Sequence, residues 1–292
     1  MSACYLCPRR CGADREAGEM GLCHTANEIR IARAAPHHFE EPSVSGKNGS
    51  GTIFFSGCSL GCVFCQNKTI SREAVGRAVS EAELGEVMLS LAEKGVHNIN
   101  LVTATHYTDR VARVLQRVKP QLKIAVVWNS SGYESPDTLR LLEGLVDIYL
   151  PDFKYLSPAL SEAYSDAPDY AEHALAAIKE MHRQVGPVVL DENGLIQRGM
   201  IVRHLVLPGC KEDSIAVVKA LSKLVPTEDI LLSLLRQYTP DFAPRSAPKN
   251  LLRRTTTYEY EQVLKEALLQ AFDGYRQQKQ SATVGYTPDF DI

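Results

Sequence analysis

No run of apolar residues in this 292-residue chain approaches the ~18 needed to cross a bilayer as a helix. The first thirty residues also lack the apolar core of a secretory leader and carry cysteines and charges in its place. Neither sign of charge is in excess. With 35 acidic and 32 basic residues the net is −3, which offers no basic surface to nucleic acid or to an anionic membrane. No convincing acid–base triad emerges either. Together these absences predict a soluble, cytoplasmic protein, long enough for a large core, whose chemistry comes from something other than general acid–base catalysis.

Cysteine is what the chain does have. Of eight, seven fall in two tight groups, Cys4/Cys7/Cys11/Cys23 and Cys58/Cys62/Cys65, with Cys210 alone. In a chain without a leader, C-x-x-C pairs point to metal or redox chemistry, with a disulfide framework as the alternative. The first group supplies four thiols, the number that closes a zinc site or saturates a second four-iron cluster. Thiol count does not separate the two; zinc pinning a segment with little core of its own is the preferred reading. The second group supplies only three, one too few for a structural zinc. Three thiolates on a four-iron cluster leave one iron free for an outside ligand, so such a cluster binds a substrate while delivering an electron. Cys210 reads as an unligated thiol on a loop.

Beyond a cysteine-rich segment over 1–50, apolar strands and helical stripes alternate. Strands are predicted at 52–57, 98–104, 123–129, 146–152, 201–207 and 229–235. Helices are predicted between them: one boxed by Ser80 and Glu83 and closed at Gly95, one carrying Val111, Val114, Leu115 and Val118, and one from Pro136 to about Gly144. Others cover about 169–185, about 213–224, and a stretch boxed by Thr256 and Glu259 running to about Phe272. Asn193-Gly194 marks a small hairpin. Six strands in βα units predict an α/β fold, a partial (β/α)6 TIM-like barrel over 51–274, followed by a tail over 275–292 without clear periodicity. Its chemistry belongs at the carboxyl ends of the strands, where the three-cysteine loop lies.

Cys58-x3-Cys62-x2-Cys65, with Phe64 before the last cysteine, resembles the signature loop of radical S-adenosylmethionine enzymes. The segments "CYLCPRRCGADREAGEMGLC", "GSGTIFFSGCSLGCVFCQN", "HNINLVTATHY", "NSSGY", "VDIYLPDFKY" and "VRHLVLPG" resemble the pyruvate formate-lyase activating-enzyme-like branch, in particular its cytoplasmic iron–sulfur members. The resemblance implies a [4Fe–4S] cluster on Cys58, Cys62 and Cys65, bound S-adenosylmethionine, and its reductive cleavage to a 5′-deoxyadenosyl radical that abstracts hydrogen. It further implies a low-potential flavodoxin- or ferredoxin-like electron donor and a substrate that includes a protein glycine. A small molecule or another protein side chain is the alternative substrate. An iron–sulfur electron carrier and a zinc-stapled binding scaffold are the non-catalytic alternatives. A carrier has no use for an open iron or a barrel.

Cofactor contacts follow from the same resemblance. Asp152-Phe153-Lys154 matches a D-x-K that holds the methionyl carboxylate. Thr103 and Thr105 stand where relatives place a glycine-rich sequence against the amino group. Asn129, Ser130 and Ser131 are placed for the ribose. Arg203, Leu205 and Phe64 are placed near the adenine. His106, His204 and Tyr238 lie near strand ends and read as satisfied structural residues. His37, His38, Glu40 and Glu41 are expected to point alternately to opposite sides of an extended segment, and so not to converge.

Overall fold

The computed structural model describes residues 3–73, 75–281 and 290. The chain enters its sheet with β1 (Ile29–His37), turns through α1 (Pro42–Ser45) and returns antiparallel as β2 (Ser50–Phe55). The cysteine loop follows, then α2 (Lys68–Arg72) and β3 (Arg77–Val79), which pairs with the start of β1. From there strands and helices alternate: α3 (Glu81–Glu93), β4 (Asn98–Val102), α4 (Thr108–Val118), β5 (Ala125–Ser130), α5 (Pro136–Leu139), β6 (Ile148–Pro151), α6 (Pro158–Ser165) and α7 (Tyr170–Val185). Then come β7 (Val189–Leu190), β8 (Ile196–Leu205), α8 (Lys211–Leu224), β9 (Ile230–Leu235), α9 (Thr257–Leu269) and β10 (Gly274–Arg276). The sheet order is β10-β9-β8-β6-β5-β4-β2-β1-β3, parallel at every step from β2 to β10.

This is a partial (β/α)6 barrel, β2 to β9, extended by β10 at one edge and by antiparallel β1 and β3 at the other. Alternate strand residues face opposite ways, and here both ways are inside. Ile53, Ile99, Leu101, Val126, Trp128, Tyr149, Val202 and Leu232 face the surrounding helices in one apolar core. Val127, Ile148, Leu150 and Ile201 face inward, where Val44 of α1 packs on them and closes the barrel floor. The plug is also hydrogen-bonded: Asn98 Nδ2 donates to the Val44 carbonyl at 2.7 Å, and Ser50 Oγ to Asn98 Oδ1 at 2.5 Å.

The capping boxes at Ser80/Glu83 and Thr256/Glu259 are both formed. The hairpin around Gly194 joins β7 to β8. Two elements are shorter than their patterns predict. The helix from Pro136 gives way to a 3-10 turn over Arg140–Leu142, and α9 ends at Leu269. The elements the sequence hid are α6 and the edge strands. β1 carries Arg30, Arg33, Pro36 and His37 and is only partly buried along most of its length, so it shows no apolar run. Most of the terminal stretch "ATVGYTPDFDI", at 282–289 and 291–292, lies outside the described residues. Phe290 places its ring 5.4 Å from that of Phe54.

Candidate active site

β2 ends at Phe55 and hands the chain to the cysteine loop through Gly57, whose φ of +90° suits glycine. A Cβ there would stand 2.6 Å from the Cys23 carbonyl oxygen. That close approach matters, because the Cys58 amide donates to this same carbonyl at 3.2 Å. The two cysteine groups are therefore joined backbone to backbone. Arg9 reinforces the join: its Nε donates to the Ser59 carbonyl at 2.9 Å, and Nη2 donates to Ser165 O at 2.8 Å and Leu60 O at 3.2 Å.

Cys58, Cys62 and Cys65 line one end of a cavity of about 780 Å³. Ser165 Oγ lies 3.2 Å from Cys62 Sγ, and Ser71 Oγ 3.5 Å from Cys65 Sγ. Burial pushes the Cys58 thiol up and the Cys65 thiol up to about 11, the charge of Cys62 adding to the second. Burial thus favours the protonated form of Cys58 and Cys65, and a bound metal centre would favour the thiolates.

Inward-facing polar residues of the strands form the next layer. Asp152, just beyond β6, bridges to Arg203 of β8. Its Oδ1 accepts from Arg203 Nε at 2.9 Å and its Oδ2 from Lys154 Nζ at 2.6 Å. Burial opposes ionisation of Asp152, but Arg203 and Lys154 outweigh it and hold the carboxyl below its ordinary range. Burial likewise works against the charge on Lys154, and Asp152 and Cys62 together more than restore it. Thr103 ends β4 with φ +56°, a left-handed conformation unusual for a β-branched residue. Thr103 thus holds a glycine-like conformation on the cavity wall.

Phe64, Thr103, Asn129, Ser130, Asp152, Lys154, Arg203 and Leu205 all line the cavity. Thr105 does not. It is buried beside Glu134, to which its hydroxyl donates at 3.0 Å. Ser130 Oγ and Trp128 Nε1 donate to the same carboxylate at 2.6 and 2.8 Å, so the Ser130 hydroxyl is engaged too. The Asn129 amide is held by Arg203 and Glu40. Of the three residues expected at the ribose, Ser131 has the buried hydroxyl with no hydrogen-bond partner among the described residues.

His37, His38, Glu40 and Glu41 form no metal position among the described residues, but Glu40 and Glu41 both line the cavity. The chain does not stay extended past His37, since Glu41 is the N-cap of α1, and the turn carries both carboxyls under the barrel. Tyr170 is a second functional residue that sequence reasoning missed. Its hydroxyl accepts from the Lys154 amide and donates toward the carbonyls of Ser131 and Asp152, each at 2.9 Å. Tyr170→Phe orphans these three strand-end groups. It should cost about 1–3 kcal/mol in urea unfolding and weaken cofactor binding in equilibrium dialysis. His106 is buried with Nε2 2.8 Å from the Ser56 carbonyl oxygen, and burial drives it down to about 3. His204 Nδ1 sits 2.6 Å from Phe153 O, and the Tyr238 hydroxyl donates to Leu251 O at 2.6 Å. All three have structural partners. Cys210 is buried, 3.5 Å from the Tyr164 hydroxyl.

Residues 52–197, half of the chain, match the Radical SAM superfamily. The chain belongs to that superfamily. An uncharacterized protein of Methanocaldococcus jannaschii is 29% identical over 276 residues, covering 90% of this chain and 74% of its own. Two crystal structures of Streptococcus suis SuiB share the fold at 12% identity. One is bound to the precursor peptide SuiA (TM-score 0.51) and one to S-adenosylmethionine (TM-score 0.50). Each covers 77% of this chain, which spans about half of theirs, 48% and 49%.

Radical SAM membership brings a [4Fe–4S] cluster and S-adenosylmethionine, and the residues fit both. Three thiols of one loop share a wall with an ammonium, a carboxylate and a guanidinium. Among the described residues no three His, Cys, Asp or Glu side chains converge on a single-ion position. The amino-terminal four are gathered too. Burial raises the Cys7 thiol to about 12, with Cys23, Cys4 and Cys11 near enough to add to the effect.

Proposed function

We propose that this radical SAM protein cleaves S-adenosylmethionine reductively and abstracts hydrogen from a polypeptide, as an activating enzyme does from a glycine of its partner. The observation that carries the reading is the shared wall on which Cys58, Cys62 and Cys65 meet Lys154, Asp152 and Arg203 at the strand ends. When bound, the reduced cluster and S-adenosylmethionine together supply a 5′-deoxyadenosyl radical.

The chain's residues bind, orient and shield. Cys58, Cys62 and Cys65 hold the cluster and leave one iron open. Lys154, steered by Asp152, takes the methionyl carboxylate. The end of β4 at Thr103 faces the amino group, and Ser131 reaches the ribose. Phe64 and Leu205 flank the adenine and exclude water. Electrons come from a low-potential flavodoxin- or ferredoxin-like donor in the cytoplasm. The four amino-terminal cysteines form a closed metal site, zinc on the preferred reading.

A polypeptide substrate is supported by the cavity lining. Among the described residues no pairing joins β10 to β1 or β3, and His37 at the end of β1 and Gly274–Arg276 of β10 both line the cavity. Gln237, Gln278 and Gln280 on this side offer amides suited to a peptide backbone. SuiB accommodates a precursor peptide on the same fold.

Anaerobic reconstitution with iron and sulfide, followed by reduction and addition of S-adenosylmethionine, tests the reading. The expected outcome is 5′-deoxyadenosine from protein carrying about four irons and one zinc. About eight irons would make the amino-terminal site a second cluster. Protein that retains only zinc and never binds the cofactor would overturn the radical reading.

A further inference from the structure

Lys154 is one end of a longer row. Arg203 gives three of its nitrogens to three different partners: Nε to Asp152 Oδ1 at 2.9 Å, Nη1 to Glu40 Oε2 at 3.3 Å, and Nη2 to Asn129 Oδ1 at 2.5 Å. Glu40 is fixed in turn by Asn100 Nδ2 at 3.0 Å and Asn129 Nδ2 at 3.3 Å on its Oε1. The row Glu40, Arg203, Asp152, Lys154 alternates in sign and sums to zero, which is what a low-dielectric interior tolerates. Glu41 adjoins it without a cation of its own among the described ion pairs. Burial raises its carboxyl, with Arg203 pulling it back.

The arrangement has a purpose that the sequence does not announce. An arginine beside a carboxylate favours the two-pronged grip on both oxygens. If Arg203 took that grip on Asp152, it would claim Oδ2, the oxygen that holds Lys154. Glu40 and Asn129 each draw one Nη toward themselves and away from Oδ2, and Arg203 meets Asp152 through Oδ1. We propose that Glu40 is a positioning residue for the cofactor site: by engaging Arg203 from the barrel floor it reserves Asp152 Oδ2 for Lys154 and so fixes that ammonium beside the cysteine loop. This rests on the reading that Lys154 receives the methionyl end of S-adenosylmethionine.

A double-mutant cycle tests it, with Glu40→Gln, Lys154→Met and the pair together in the full chain. On cluster-loaded protein, equilibrium dialysis should show Glu40→Gln weakening S-adenosylmethionine binding about tenfold, the size of one charged hydrogen bond. In the Lys154→Met background the same change should add less than about twofold. The same four proteins unfolded in urea as isolated should show non-additive effects as well. An equal fold-loss in both backgrounds, or no loss from Glu40→Gln, would overturn the proposal. Failure of the parent protein to bind the cofactor would sink the functional reading instead. The unfolding cycle would then decide the coupling by itself, additive effects counting against it.

Discussion

Replacing Cys62 with alanine should abolish cleavage of S-adenosylmethionine and leave the barrel folded. The side chain belongs to a loop and not to a strand, and its sulfur is contacted by hydroxyls of neighbouring side chains, Ser165 and Tyr155. The loop backbone is fixed independently, through Val63 N to Tyr164 O at 2.8 Å and through Arg9. Two thiolates do not hold a four-iron cluster that needs three, so the chemistry loses its electron source. Deoxyadenosine formation should fall by at least about 10³-fold, the scale on which an indispensable group acts. Iron content should fall with it, while the thermal midpoint of the metal-free protein stays put. Cleavage that survives the substitution would refute the three-thiolate argument.

Arg203→Met should be the most destabilising single change in the site. It leaves two buried carboxylates, Asp152 and Glu40, without their shared cation, and breaking a buried charge network in this way costs about 3–5 kcal/mol. The penalty should also depend on pH. Glu40 is already raised above its ordinary 4.5 by burial, with Arg203 pulling it back. Without Arg203 the folded carboxyl rises further. The folded state then binds more protons than the unfolded one, and stability is lost as pH climbs from near 4.5 toward the folded value. Asp152 behaves in the opposite sense. In the parent protein its depressed value contributes stability that is present above its ordinary 3.8 and lost as pH falls through the folded value, constant over the range compared. Without Arg203 its carboxyl is pushed upward as that of Glu40 is, and adds to the same trend. Urea unfolding of both proteins at about pH 5 and about pH 8 should give the larger difference at the higher pH. An equal difference at both would mean that Glu40 is uncharged in the native protein.

The barrel was readable because its core strands are buried on both faces and most contain short, nearly continuous apolar runs, such as TIFF, AVVW and ILLSLL. The cysteine loop was readable because ligand spacing is a local property. The interior row was not. Glu40, Arg203, Asp152 and Asn129 come from four separate elements, and nothing in the residues beside Glu40 signals that its segment turns under the barrel. Two neighbouring acids on an extended chain would diverge; here the turn into Pro42 brings both inward. Thr105 misled for the converse reason: it sits near a strand end where a cofactor would lie, and a buried acid, Glu134, takes its hydroxyl and keeps it off the cavity wall. Tyr170 went unnoticed as one aromatic among several, although its hydroxyl ties together two strand ends.

The floor beneath Arg203 bears on how the chain can be divided. A boundary near residue 50 is natural on paper, between a cysteine-rich leader and the barrel. Yet the leader contributes the strand that covers one edge of β2, the helix that stoppers the barrel, and the carboxylate that disciplines Arg203. A fragment beginning at the glycines before β2 would expose that edge, open the bottom of the cavity to solvent and leave a guanidinium free to seize the wrong oxygen. Modularity of sequence is not modularity of structure here, and anyone seeking a minimal catalytic unit by trimming the amino terminus should expect to dismantle the site from below.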